Sequence, residues 1–261
     1  MTNYMILLPN SEGKVSGGDE EITYRLVSNL KKYNHFIKLQ PQRDYILDEI
    51  KKTIRMSSED ELSSFFDLKG DNLKSAISTM SALKDEECMS AIERMAGVMY
   101  NSINYAQLNK ESKERFNNSV LILDALFGML KPLDMIPNYK CKVSMRLFDM
   151  TLAKYWQKEL SGYFEYECRD KLVLDLLPNS HKEMIKDMEN SGDIIEIVFA
   201  KQNNNSYTLE GHASKILKGE FVQYVLEFDR LSREDLKKFE HTSGHRYSKE
   251  FSNQNKFVYI K

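Results

Sequence analysis

Residues 120–146, VLILDALFGMLKPLDMIPNYKCKVSMR, constrain this chain more than any other stretch. They begin with an apolar run, Val-Leu-Ile-Leu, that leaves no position for a solvent-facing side chain. Short apolar runs with a β-branched start form core strands. This one meets a turn at Phe127 and Gly128 and then a Lys-Pro-Leu-Asp corner. Lys131, Lys140 and Lys142, with Asp134, sit among Pro132, Pro137 and Tyr139. Loops that leave core strands are where α/β proteins place their sites. Spacing alone does not say which chemistry this loop serves.

A second run of the same kind, YMILL at residues 4–8, reads as a strand buried on both faces. It is too apolar to stand alone, so it must join the sheet that residues 120–124 enter. The loop after it, PNSEGKVSGGDEE, carries Gly13, Gly17 and Gly18 beside Ser11, Glu12 and Lys14. A strand leaving into a Gly-rich loop with one lysine suits a phosphate cradle. No Lys-Ser/Thr pair closes the loop, so it is not a Walker A motif. A flexible loop with a solvated lysine is the other reading.

Helical periodicity predicts helices over 20–33 and 42–55, the second with Pro41 at its start. Ser58 and Glu61 form a capping box ahead of Leu62, Phe65 and Phe66. A tight turn at 68–71 leads into a helix over 72–83, and the pair resembles a helix-hairpin-helix unit. Residues 86–100 read as one helix, with Gly97 inside it marking close backbone packing. A polar helix follows over 110–117. Beyond the central stretch, 142–148 reads as a strand, and Thr151 caps a helix that carries Trp156, a core anchor. Residues 171–177 form another buried strand. Residues 194–201 and 206–210 pair as a hairpin. A helix spans 212–228, Ser232 caps 233–239, and 257–260 closes the sheet at its edge. The pattern predicts one compact α+β domain over 1–261, with a mixed central sheet and surrounding helices. The body is 1–9 with 119–261, and 20–118 is a mainly helical insertion.

Composition narrows the function classes. The chain has 261 residues, 41% hydrophobic and 29% charged, which is globular rather than disordered. Its net charge of −2 excludes a protein that wraps duplex DNA by bulk charge, leaving only a local basic patch for that role. Cys88, Cys141 and Cys168 are scattered, as in a reducing compartment without a disulfide framework. No apolar stretch is long enough to span a bilayer or serve as a signal core, so a cytoplasmic location is expected and no membrane partner.

Four stretches together resemble the YaaA family of bacterial peroxide stress resistance proteins. They are LLPNSEGKVSGG at 7–18, AIERMAGVMYNSINY at 91–105, LFGMLKPLDMIPNYKCKVSMRL at 126–147 and HASKILKG at 212–219. The third is similar to the family's aromatic-Gly-Leu-Arg-Pro-Asp-Pro-Tyr-Arg pattern. Lys131, Lys140 and Lys218 stand where the family usually has arginine, which keeps the charge but loses the bidentate fork. His181 stands where it tends to have tyrosine. The resemblance implies a cytosolic protein that protects against peroxide, lowers free iron and limits DNA damage. It also implies a positively charged cleft, a helix-hairpin-helix-like element and non-specific binding of double-stranded DNA. Lys69, Gly70 and Lys74 are the hairpin residues such binding would use.

The family motifs place Ser11, Glu12, Lys14, Lys131, Asp134, Tyr139, Lys140, Arg146, His212, Lys215 and Lys218 in one cleft. Clustered cations at strand and helix ends attract phosphate or carboxylate. A lysine there with a lowered pKa suits base or Schiff-base chemistry, which singles out Lys14 and Lys215, with Glu12 beside them. Each residue also has a structural reading. Glu12 pairs with Lys14, Asp134 ties the proline corner, Tyr139 is core and His212 is a satisfied helix-start histidine. No metal constellation is apparent: His241 and His245 have the i, i+4 interval but not a helical context. No GxSxG elbow marks a serine hydrolase. No cofactor is expected. Two functions remain open: a DNA-binding stress protein, or an enzyme acting on an anionic or nucleotide-like small molecule.

Overall fold

The apolar runs at residues 4–8 and 120–124 lie side by side. In the computed structural model, which describes residues 2–188 and 193–261, they are parallel neighbours at the centre of a mixed sheet. The strands of this sheet are β1 (Tyr4–Pro9), β2 (Val120–Asp124), β3 (Gly128–Leu130), β4 (Leu172–Asp175), β5 (Asp193–Asn203), β6 (Ser206–Leu209), β7 (Arg246–Tyr247) and β8 (Lys256–Ile260). Their spatial order is β7-β8-β5-β4-β1-β2-β3, with β6 paired to β5. Strands β1, β2, β4, β5 and β8 are parallel, and β3, β6 and β7 run antiparallel at the margins. Residues Tyr4 to Leu8 and Val120 to Asp124 are fully buried, as continuous apolar strands covered on both faces must be.

The main helices are α1 (Gln40–Met56), α2 (Glu59–Phe66), α3 (Gly70–Ala82), α4 (Val98–Ile103), α5 (Lys110–Ser119), α6 (Leu152–Cys168) and α7 (His212–Val225). Local caps agree with the sequence: Ser58 and Glu61 close a capping box on α2, and the Thr151 hydroxyl accepts from Lys154 N on α6. Trp156 on α6 is wholly buried and donates from Nε1 to the Ala125 carbonyl at 2.8 Å.

Four expectations are corrected. Residues 20–33 are not one helix. Asp19–Thr23 is a strand, followed by the single turn Tyr24–Val27. The strand pairs with Glu87–Ser90, which pairs with Met135–Pro137 in a small antiparallel sheet. Of Ile22, Leu26, Val27 and Leu30, which carried the periodicity, Leu26 and Leu30 are exposed, so the four do not form one buried stripe. Residues 86–100 likewise split into that strand, a turn at Ala91–Arg94 and α4. The break falls at Gly97, whose φ of 121° no helix contains. Only Arg146–Leu147 of the expected strand at 142–148 forms, paired with Met150–Thr151. Finally, β8 is not an edge strand, because β7 lies outside it.

From β1 the chain crosses through residues 10–119 to β2 on one side. After β4, on the other side of β1, it moves away to β5. The loops leaving β1 and β4 therefore diverge, which opens a crevice beyond the carboxyl ends of these strands.

Candidate functional site

That crevice is a cleft of about 790 Å³. Its walls are the β1 loop (Pro9 to Gly13), the start of α4, residues 141–144, the β4 loop (Leu176 to Lys182) and the first turns of α7. The two diverging loops are tied together across it. His181 Nε2 lies 2.8 Å from Asn10 Oδ1, so the imidazole donates there, and Nδ1 faces the Ser180 hydroxyl at 3.2 Å. Burial lowers the His181 pKa to about 4, so the ring is neutral. Tyr100 of α4 donates to the Pro9 carbonyl at 2.8 Å.

Lys142, Lys182, Lys215 and Lys218 line the cleft, with apolar side chains between them. Two of these charges are already matched. Lys182 is bonded to Glu196, and Lys142 lies 2.9 Å from Asp67 and 3.9 Å from Glu12. Lys218 donates to the Leu176 carbonyl at 2.8 Å, and burial lowers its pKa to about 8 against the pull of buried Asp175. Among the described residues, no carboxylate oxygen comes within 4.0 Å of the ammonium of Lys215 or Lys218. Surplus positive charge therefore sits where α7 meets the cleft.

Lys14 stands behind the β1 loop. Its ammonium donates to the Ser11 carbonyl at 2.8 Å and lies 3.9 Å above the centre of the Tyr139 ring. Burial lowers its pKa to about 8, outweighing Asp124, while neighbouring Lys140 lowers it further. Tyr139 is itself buried and bonds through its hydroxyl to Asp124 at the end of β2. The other Asp124 oxygen accepts the Leu126 and Phe127 amides at 2.8 and 2.9 Å. This end of the site thus stacks a carboxylate, a phenol and an amine in sequence. A lysine poised near neutrality over an aromatic face can hold an anion or act as a base or nucleophile.

The motifs bring only some of the candidates together. Ser11, Glu12, Lys215 and Lys218 line the cleft, Lys14 and Tyr139 lie behind its wall, and Lys140 is near Lys14. Lys131 is elsewhere, paired with Glu167 at 2.8 Å. Asp134 accepts the His35 and Lys131 amides, each at 2.8 Å, and ties the proline corner. Arg146 is exposed, turned to the Asp149 carbonyl, and His212 is exposed at the start of α7. Lys69 and Lys74 are exposed on the α2–α3 hairpin, where Lys74 lies 3.8 Å from Asp71, and Gly70 opens α3 at φ 54°. Among the described residues, no three His, Cys, Asp or Glu side chains gather as a metal would need.

A family model for peroxide stress protein YaaA matches residues 5–251. The chain belongs to the YaaA family. It is 25% identical to a UPF0246 protein of Rickettsia conorii over 249 residues, which cover 90% of this chain and 98% of that one. A UPF0246 protein of Francisella philomiragia is 25% identical over 219 residues, 82% of this chain and 83% of its own length.

Sequence reasoning on this YaaA chain passed over several groups that shape the site. Asn10 and Tyr100 lie inside the family-like stretches at 7–18 and 91–105, and Asp124 and Asp175 end core strands, but none was singled out, because only the pairing of distant loops makes them neighbours. Two buried arginines have the same character. Arg43 bonds the Phe127 and Met129 carbonyls at 2.9 and 3.0 Å and so pins the β2–β3 turn. Arg94 bonds the Val15, Glu87 and Ile136 carbonyls and pins the end of the β1 loop. His181 had a signal of its own, as the departure from the family's tyrosine.

Proposed function

We propose that this protein serves the peroxide stress response by holding a small anionic, nucleotide-like ligand in the cleft, with Lys215 and Lys218 as its cationic contacts. The observation that carries the reading is the position of the two lysines that no carboxylate of the described residues meets. Lys215 and Lys218 hold surplus charge at a topological switch point, the place where open α/β sheets receive ligands. An anion there gains from both ammoniums and from the amino end of α7. The apolar wall between the lysines suits a ring or chain attached to the anion. Burial lowers the Lys14 pKa to about 8, which eases proton loss from an amine that sits behind the cleft wall. Ser11 and Glu12 shape the wall in front of it. We place the effect on free iron that the family resemblance implies downstream of this ligand.

Double-stranded DNA is the other occupant that the resemblance suggests. The α2–α3 hairpin argues for the smaller ligand, because Lys69 and Lys74 share it with Glu59, Asp60, Glu61, Asp67 and Asp71. Such a surface repels phosphate. Calorimetric titration with adenosine monophosphate and inorganic phosphate separates the two. We expect binding that falls at least tenfold in Lys218→Met, and a Lys14→Met variant that still binds. Duplex binding that weakens steeply with salt, is lost on Lys69→Ala with Lys74→Ala and is unmoved by Lys218→Met would replace this reading with the DNA one.

A further inference from the structure

Glu210, just after β6, lines the cleft and is buried with its side chain 5% exposed. Its Oε1 lies 3.6 Å from the Lys201 ammonium and 3.5 Å from that of Lys261. Its Oε2 faces Nε2 of His245 at 3.4 Å, yet among the described residues neither atom has a hydrogen-bond partner. Buried polar atoms are nearly always satisfied, so two orphans facing each other need a reason. Behind His245 the polar groups continue without a gap. His245 Nδ1 is 2.7 Å from the Ser243 hydroxyl, which is 2.6 Å from His241 Nδ1, and His241 Nε2 bonds Glu220. The Phe199 ring packs against His245 and the Phe239 ring against His241, so this line has apolar sides. Ser243 is exposed, so the line runs from the cleft wall to the outer surface.

The donors fix the direction of the chain. The Ser243 amide donates to His241 Nδ1 at 3.0 Å, so that nitrogen is an acceptor and Nε2 carries the proton given to Glu220. The Ser243 hydroxyl has one proton, which also turns to His241 Nδ1. Its oxygen then accepts from His245 Nδ1, and His245 presents a bare Nε2 lone pair to the Glu210 carboxylate. Two lone pairs 3.4 Å apart in a buried space attract a proton between them.

We propose that Glu210, His245, Ser243, His241 and Glu220 form a proton relay connecting the cleft to the surface, so that chemistry in the cleft exchanges protons with solvent by this route. The proposal rests on the cleft being the ligand site. A proton taken by Glu210 passes to His245 Nε2. The Nδ1 proton of His245 goes to Ser243, whose own proton goes to His241 Nδ1. The Nε2 proton of His241 goes to Glu220 and then to water. One proton leaves the cleft, one reaches solvent, and ring and hydroxyl reorientation resets the line.

Nitrogen-15 NMR of the imidazoles in the intact, ligand-free protein tests this directly. We expect His241 protonated at Nε2 and His245 at Nδ1. Ser243→Ala should move the His245 proton to Nε2, and Ser243→Thr should restore the parent pattern. A His245 protonated at Nε2 in the parent, or tautomers indifferent to Ser243→Ala, overturns the relay. The readout needs no ligand, so a cleft that fails to bind phosphate overturns the cleft reading separately.

Discussion

Single residues decide the charge economy of this protein. Glu167 is almost buried in the last turn of α6, and burial alone would raise its pKa. Hydrogen bonds from His35 and Lys131 reverse that and bring it down to about 2. The unfolded carboxylate has its ordinary value of 4.5, so this group adds stability above that pH and loses it as pH falls toward 2. Glu167→Gln should therefore flatten the acid arm of the stability curve, measured by urea unfolding from pH 6 to pH 2.5. At pH 7 it should cost on the order of 3 kcal/mol. The cysteines make the opposite point. Burial raises the Cys88 and Cys168 thiols to about 12 and pushes Cys141 up as well. A thiol is nucleophilic only as thiolate. All three should thus resist Ellman's reagent until the protein unfolds, and native protein should not consume hydrogen peroxide stoichiometrically. A fast-reacting native thiol would contradict both expectations.

At the scale of elements, the cleft depends on how closely α7 crosses α4. Both helices bear cleft residues, and they touch at Gly219. A Cβ placed there would lie 2.5 Å from the Ser102 Cβ and 2.6 Å from the Met99 carbonyl oxygen. Gly219→Ala must push the helices apart, at about 1–3 kcal/mol, and should also weaken ligand binding because Lys215 and Lys218 move with α7. Chemical denaturation and calorimetry of one variant report both effects. Gly128 is a second contact point. It adopts φ 72°, and its absent Cβ makes room for the Trp156 ring at 2.6 Å. Element boundaries show what the sequence could disclose. Helices α2 and α6 were legible from their caps, because a cap is made within a few residues. The strand Asp19–Thr23 was not, because its partner is the distant Glu87–Ser90, and pairing with that strand outweighed a weak helical pattern.

For the whole molecule, buried cations and phenols set the alkaline behaviour. Lys14 and Lys218 fall from 10.5 to about 8 on folding. Between those values the unfolded chain holds more protons, so stability rises with pH through this window. Tyr4 and Tyr24 are raised to about 12 by burial, so above their ordinary value of 10.0 the unfolded chain ionises first and stability is lost. The stability curve should climb above pH 8, turn over near pH 10 and then fall. The Lys14→Met, Lys218→Met double variant should be the more stable protein at pH 7 and should lose the climb. Thermal unfolding across pH 7–11 checks this, and a parent curve flat up to pH 10 would contradict the assignment of both lysines as buried cations.

The chain alone determined that two continuous apolar runs form central strands, that local caps start α2 and α6, and that cations gather around the segments at 7–18, 126–147 and 212–219. Those features arise from neighbours in sequence, whose periodicity and hydrogen bonds are local. Tertiary structure decided which cations meet. It sent Lys131 to Glu167 and Asp134 to the proline corner, left Lys215 and Lys218 without a carboxylate partner among the described residues, joined His181 to Asn10 and set His245 facing Glu210. A side chain's charge is written in the sequence, but its partner is fixed only when β1 and β4 lie side by side and their loops diverge.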